Sequence, residues 1–404
     1  MADYANINGV AAASIAKVNG VAYADIAKCN GLNTPSLGAT RWVVGADDGL
    51  IAHAANSDRT SWTTYAGVTG GGTHDNKFDI AFGRNNSGQG VYVCTRDGGV
   101  REIQVSGTDV TANAAWTDIN IDGTSSNIKM LTVAWGARSD GTAAGTWFAV
   151  GQQTSSHQKI YRSTDGGTNW TAIDLSGLSG HSSSVWINNI ASDGSGNWAF
   201  VQENRFYYST NDGASFAVST PFSTGTNNKG VPGRAHALIF TNNSWVLMYS
   251  NSSQIHVRSC AASDITDWGD ERRLNQLQHM SANTEKGNMA ANASGRVVAV
   301  TMKNEADLYF FDVNGKTITA NIPSPGTGNG TELASGSNYV NLSMSSDNIK
   351  DVATDGSTWL LACQDGDIWE STDDGENWNQ IADNQGADAA DDFTSITCDV
   401  ILPL

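Results

Sequence analysis

Proline is scarce in this chain, 6 residues in 404, and cysteine scarcer, with 5. The cysteines (Cys29, Cys94, Cys260, Cys363 and Cys398) are odd in number, scattered and without CxxC spacing, so neither a disulfide framework nor a zinc site follows from them. Long windows rich in Leu, Glu and Lys at helical period are missing, which excludes a sizeable helical bundle. No run of about 18 apolar residues is present to span a membrane, and no basic segment followed by an apolar one opens the chain. The expectation is a protein made and folded in the cytosol, with no signal peptide. Positive charge is in deficit too: 23 Lys and Arg stand against 41 Asp and Glu, a formal net charge of -18. Such a surface repels a phosphate backbone and an anionic membrane alike, so no nucleic acid and no membrane is expected as a partner. The 7 His lack the close spacing of a metal-binding helix and no Gly-rich phosphate loop precedes a helix; no cofactor or metal is expected.

What is abundant is turn chemistry. With 43 Gly and many Ser, Thr, Asn and Asp, the composition describes short strands between short turns, an all-β protein. The 13 Trp, 10 Tyr and 11 Phe supply bulk for a core. Repeat folds allow a chain of this length to form one large domain.

Three segments share one spelling, Ser-x-Asp-x-Gly-x-x-Trp. They are Ser163, Asp165, Gly167 and Trp170; Ser209, Asn211, Gly213 and Phe216; and Ser371, Asp373, Gly375 and Trp378. A hydroxyl and a carboxylate two positions apart can accept hydrogen bonds from N–H groups of their own turn, while the Gly supplies a positive φ. The aromatic then opens the next strand. This spelling resembles the Asp-box, or BNR repeat, of β-propeller proteins. The resemblance implies that these carboxylates hold outer turns and lie away from any active site.

Around each box a larger unit recurs: an apolar strand, an Asp-Gly or Asn turn, a Trp-led strand, a polar-aromatic strand, the box, and a last strand. Degenerate boxes are predicted at Asn56 to Trp62, Thr95 to Gly99 and Ser263 to Trp268, with a plain hairpin at Phe311 to Gly315. The fourth-strand markers Trp62, Trp116, Trp170, Phe216, Trp268, Ile318 and Trp378 then mark out about seven units roughly 50 residues apart, the length of propeller blades. The first unit begins at Arg41 with a second-type strand, and the missing first-type strand is supplied by Phe393 to Ile401 at the other end. The expected fold is all-β: an about seven-bladed β-propeller of four-stranded blades over 39–404, its ring closed by the C-terminal strand so that no free edge is exposed.

Residues 1–38 form a repetitive N-terminal arm and linker. Asn8-Gly9, Asn19-Gly20 and Asn30-Gly31 are evenly spaced; Asn-Gly favours tight hairpins, whereas the Ala-rich stretches between could make a turn of helix. So small a segment buries no core of its own and is read as an anchoring arm, the alternative being a strand pair packed on the propeller itself. The repeats resemble those at the N-termini of virion structural proteins from marine tailed phages, notably phages of cyanobacteria. That resemblance implies a virion location, other virion proteins as partners through the arm, and multiple copies per particle.

A sialidase, another Asp-box propeller, would need three clustered arginines, a Tyr with a Glu partner and an Arg-Ile-Pro-like motif. The arginines here are dispersed and the motif is missing. Asp47 with Asp48, or Asp391 with Asp392, could supply a glycosidase's two carboxylates, but adjacent acids in Gly-rich turns are more often solvated. The segment from Asp383 to Asp392 lacks the order of a calcium loop, and likeness to photosystem assembly propellers stops at the box. The expectation is no enzyme and no catalytic residue, but a virion component whose propeller serves protein or host-surface contact. The alternative is a sialidase-like or other glycan-active hydrolase or lectin acting on host surface polysaccharide. Phe222 to Ala235 and Ile322 to Asn341 are candidate contact loops.

Overall fold

The computed structural model describes residues 40–46, 51–65, 79–95, 102–106, 116–121, 128–153, 157–181, 187, 189–202, 205–219, 233–251, 254–274, 287–301, 307–319, 338–342, 349–383 and 393–401, with four two-residue strands ahead of them. Apart from the two-residue strands, these residues form seven antiparallel sheets. The second runs Asp79–Arg84, Gly90–Thr95, Glu102–Ser106, Trp116–Asn120, each strand pairing with the next. The third (Ile128–Gly136 to Thr171–Ile173), fourth (Ile190–Ser192 to Ala217–Ser219), fifth (Gly233–Thr241 to Arg272–Leu274), sixth (Gly287–Ala291 to Thr317–Thr319) and seventh (Ile349–Thr354 to Asn379–Ala382) repeat this order. The sixth carries an extra strand, Tyr339–Asn341, on Asp307–Asn314.

The first sheet is assembled from both ends of the chain. Phe393–Cys398 pairs with Arg41–Ala46, followed by Ile51–Ala55 and Asp58–Tyr65. Asp399 adds further ties, accepting from the N–H groups of Thr40 at 2.6 Å and Arg41 at 2.9 Å and from the Thr40 hydroxyl. Arg59 reaches Glu370 of the seventh sheet at 2.5 Å.

Seven apolar clusters hold the sheets together, each built from two consecutive sheets rather than from within one. One, for instance, joins Val298 and Leu308 of the sixth to Trp359 and Leu361 of the seventh, and another joins Leu360 and Ile368 of the seventh to Trp42 and Phe393 of the first. The second strands are therefore covered on both faces, and Trp198–Gln202 and Trp359–Cys363 are buried at every residue. This is why they read as continuous apolar runs rather than alternating ones. In register, Trp42, Trp147, Trp198, Trp245 and Trp359 occupy one position of that strand, with Tyr92 and Val297 in the remaining two sheets. Glycine at the end of the preceding sheet's first strand makes room for the indole: a Cβ on Gly136 would lie 2.8 Å from Trp198 Cζ2.

Among the described residues four cysteines, Cys94, Cys260, Cys363 and Cys398, are buried thiols outside any disulfide, and burial pushes the Cys260 and Cys398 thiols well above the usual thiol range. They pack as small apolar groups.

Candidate functional site

The three repeated turns share one hydrogen-bond pattern. In the first, the Ser163 hydroxyl donates to Asp165 Oδ1 at 2.8 Å and accepts from the Gly167 N–H at 3.1 Å; Asp165 also accepts from Asn169 N–H at 2.9 Å and Asn169 Nδ2 at 2.6 Å. The Trp170 indole then donates to the Gly167 carbonyl at 2.7 Å. Ser371, Asp373, Gly375, Asn377 and Trp378 reproduce every one of these bonds. In the middle copy Asn211 replaces the carboxylate: it accepts from Ser209 and from the Ser215 N–H, and its amide donates to the Ser215 hydroxyl. Phe216 has no N–H to donate and packs edge-on against Phe148 and Phe200 instead.

Two successive residues of each turn are left-handed: Gly166 and Gly167, Asp212 and Gly213, Asp374 and Gly375. Burial opposes ionisation of Asp165 and Asp373, yet the bonds from Asn169 and Asn377 hold both below the usual carboxylate range. A carboxylate with this many donors is stabilised as an anion and is a poor general acid or base.

These turns also clamp neighbouring sheets. The fourth sheet's turn presents the Asp212 carboxylate to Ser139 of the third, taking its N–H and hydroxyl at 2.8 Å each. The seventh sheet's turn meets Asn292 of the sixth through Asp374 at 3.3 Å. In the third sheet's turn, a Cβ on Gly166 would strike Asn85 and Asn86 of the second at 2.6–2.9 Å.

A second polar feature, along the first strands, escapes sequence reasoning. One register position carries Asp79, Thr132, Asn288, Asp351 and Ser395 in five sheets, with Ala237 in the fifth and, just ahead of the fourth sheet's first strand, Asn189. Several of these side chains bond the following sheet: Asp79 Oδ2 accepts from Val133 N–H at 3.0 Å, Asp351 Oδ2 from Ile396 N–H at 2.9 Å, and Ser395 Oγ from Ile80 N–H at 3.1 Å, while Asn288 donates to the Lys350 carbonyl at 3.0 Å. The Ser395 hydroxyl lies 3.1 Å from carboxylate oxygens of both Asp79 and Asp351.

Also unforeseen is a cluster in the fifth sheet. Glu271 accepts from the Tyr249 hydroxyl and from Arg258 Nη2 at 3.3 Å, and lies 2.9 Å from His256 Nδ1. Burial raises the Glu271 carboxyl, but His256, Tyr249 and Arg258 together hold it below its ordinary value. Tyr249 is fully buried and His256 and Arg258 are 3% exposed. An open groove of about 560 Å³ lies between the third and fourth sheets, lined among others by Arg162, Asp165, Asn169, Asp174, Ser215 and Phe216. Two sequence-predicted box residues, Asp165 and Phe216, thus meet at one surface feature.

In the arm, Asn6–Ile7 pairs with Val10–Ala11 and Lys17–Val18 with Val21–Ala22. Asn8, Gly9, Asn19, Gly20, Asn30 and Gly31 lie outside the described residues, as do Asp47, Asp48, Asp391 and Asp392 and most of both candidate loops. Among the described residues no group of three or more His, Cys, Asp or Glu is placed to hold a metal ion, and no helix is long and apolar enough to cross a membrane.

Comparison with solved structures finds similar chains at low identity. YCF48 from Cyanidioschyzon merolae is 18% identical, with 75% of this chain and 84% of that one aligned at a TM-score of 0.46. An ancestral GH74 enzyme is 14% identical over 88% of this chain and 54% of that one, at 0.47. A chain of the COPII coat assembled on membranes is 11% identical over 85% and 49%, at 0.50. No protein-family model and no curated protein sequence matches. At these identities the likeness is one of fold alone; successive four-stranded antiparallel sheets, each packed on the next and the seventh on the first, define the class as a β-propeller.

Proposed function

We propose that this chain is a structural protein of a phage virion, a tail, fibre or capsid-decorating component present in multiple copies. The arm of residues 1–38 anchors it to other virion proteins, and the propeller of residues 39–404 makes protein or host-surface contacts. In this reading the propeller has seven blades built on Asp-boxes and is closed at the seam by Phe393–Cys398, a reading supported by its pairing with Arg41–Ala46. The observation that carries a binding role over a catalytic one is the use of the box carboxylates: Asp165 and Asp373 spend both oxygens on their own turns. The test is mass spectrometry of purified particles, with and without residues 1–38. Stoichiometric recovery of the full chain and loss of the arm-deleted one are expected; retention of the arm-deleted chain overturns anchoring, and absence of the full chain overturns the virion reading.

A sialidase-like or other glycan-active hydrolase is the second reading. The hydrogen-bonded Tyr249–Glu271 pair beside Arg258 favours it, and the burial of Tyr249 weighs against it. Glycan release by the native chain that disappears in Glu271→Gln is its test.

A further inference from the structure

The groove between the third and fourth sheets has the size of a small-molecule site, its 560 Å³ lying within the range of about 300–1,000 Å³. One wall is the turn and strand from Arg162 to Asp174, the other Ala214 to Phe216. Its cation is Arg162, half-buried, whose Nε donates to the Asp212 carbonyl at 2.8 Å; among the described residues no carboxylate forms an ion pair with it. A guanidinium has five N–H donors, so further donors remain for a ligand.

The other polar lining groups keep spare bonding capacity of both kinds. Asn169 uses its N–H and amide Nδ2 on Asp165, which leaves its amide oxygen as an acceptor. Ser215 accepts from Asn211 Nδ2 at 2.9 Å and keeps its hydroxyl proton to donate. Asp174 takes the Ser176 N–H at 2.9 Å. Ile173, Leu178 and Phe216 add apolar surface among these groups.

Charge decides the ligand class. Asp165 and Asp174 are both held below the ordinary carboxylate value, the first by Asn169 against burial and the second by Ser176, so two anions face one cation at neutral pH. On a chain of net charge -18 an anionic ligand is repelled, and Arg162 disfavours a cation beside it. An uncharged ligand that both donates and accepts hydrogen bonds and carries apolar C–H faces satisfies every lining group.

We infer that this groove binds a neutral saccharide through Arg162, Asn169, Asp174 and Ser215. The inference rests on the host-surface part of the reading above and gives that contact a place and a chemistry.

The test uses the full chain and isothermal titration with maltohexaose, cellohexaose and mannohexaose as neutral probes, and with oligosialic acid and a heparin hexasaccharide as anionic ones. Binding of at least one neutral probe is expected, weakened tenfold or more in Asp174→Ala and in Arg162→Gln. Asp174 is exposed, so its variant is expected to keep the native melting temperature; Arg162→Gln is compared only if it does too. Preference for anionic probes, binding of none, or neutral binding unchanged in Asp174→Ala overturns the inference, as does capture of an extended peptide at the Thr171–Ile173 edge with no sugar bound. If no probe binds while particles contain the chain, the groove inference falls and the virion reading stands. If neutral sugar binds through Asp174 while particles lack the chain, the reverse holds.

Discussion

Asp351 offers a test of how the two ends of the chain are held. It sits on the seventh sheet's first strand and accepts from Ile396 N–H at 2.9 Å and, at 3.1 Å, meets the hydroxyl of Ser395, both on the C-terminal strand; its other oxygen takes Val352 N–H at 2.8 Å. Hydrogen bonds to charged groups contribute about 1.5–3 kcal/mol each, so truncating Asp351 to Ala removes on the order of 3–6 kcal/mol of interaction with that strand. An opposing effect is built into the same site. Asp79 and Asp351 both reach one Ser395 oxygen, which puts the two carboxylates within about 6 Å of each other and their repulsion at about 3 kcal/mol for an effective dielectric of about 20. Removing one charge relieves that repulsion. The expected net cost of Asp351→Ala is therefore at most about 3 kcal/mol, whereas Asp351→Asn keeps an acceptor, loses the repulsion and changes stability by less than about 1 kcal/mol. Guanidinium unfolding followed by Trp fluorescence, with unfolding rates, measures both. If Asp351→Asn proves as damaging as Asp351→Ala, the charge balance is wrong; if neither moves the midpoint, the ends are not held through this residue.

Deleting residues 393–404 is expected to abolish folding, because it strips Arg41–Ala46 of its partner strand and opens the cluster around Trp42 and Phe393; a cooperative melt of the truncated chain would refute this. Gly375→Ala meets Val298 Cγ2 at 2.7 Å with φ at +83°, whereas Gly141→Ala meets nothing at +73°, so the first is expected to cost at least about 1 kcal/mol more than the second, whose cost is the left-handed backbone alone. Ser139→Ala and Asp212→Ala are expected to couple by about 1–2 kcal/mol in a double-mutant cycle, and coupling near zero would show that the two sheets meet there without energetic consequence. Asp165 and Asp373 ionise below the ordinary 3.8, so their contribution to stability is complete above that pH and lost as pH falls through the lower folded values. Thermal melts from pH 7 to pH 2.5 should show a shallower acid limb in Asp373→Asn than in the native chain.

The box turns were legible because their chemistry is local. The Ser hydroxyl bonds the Asp two residues on and the Gly N–H four residues on, and the spelling Ser163 to Trp170 carries the whole geometry. Six of the seven predicted markers adjoin fourth strands: Trp62 and Ile318 lie within them, Trp116 opens one, and Trp170, Phe216 and Trp378 stand immediately before theirs, whereas Trp268 forms an isolated bridge with Cys260 four residues ahead of Arg272–Leu274. The first-strand polar position was not legible. It holds Asp79, Thr132, Asn288, Asp351 and Ser395, different side chains that share no spelling, and their partners lie on the following sheet. Only pairing register brings them to one level. Glu271 and His256 were missed likewise, since an isolated acid between Asp270 and Arg272 reads as solvated surface until Tyr249 and Arg258 are placed around it.

The docking of the turns on the preceding sheet bears on where function can reside. Asp212 is given to Ser139, Asp374 to Asn292, and Gly166 is pressed on Asn85 and Asn86, so the sides of these turns that touch neighbours are already committed to joining sheets. Between the third and fourth sheets a groove lies beside that junction, and it leaves bonding capacity that neither turn consumes, the Asn169 amide oxygen and the Ser215 hydroxyl proton among it. A repeated structural motif can thus acquire a binding role where a gap between two copies leaves bonding capacity unspent. Substituting Asp174 or Arg162 in that gap, against Asp373 in the seventh sheet's turn, separates the binding role from the structural one.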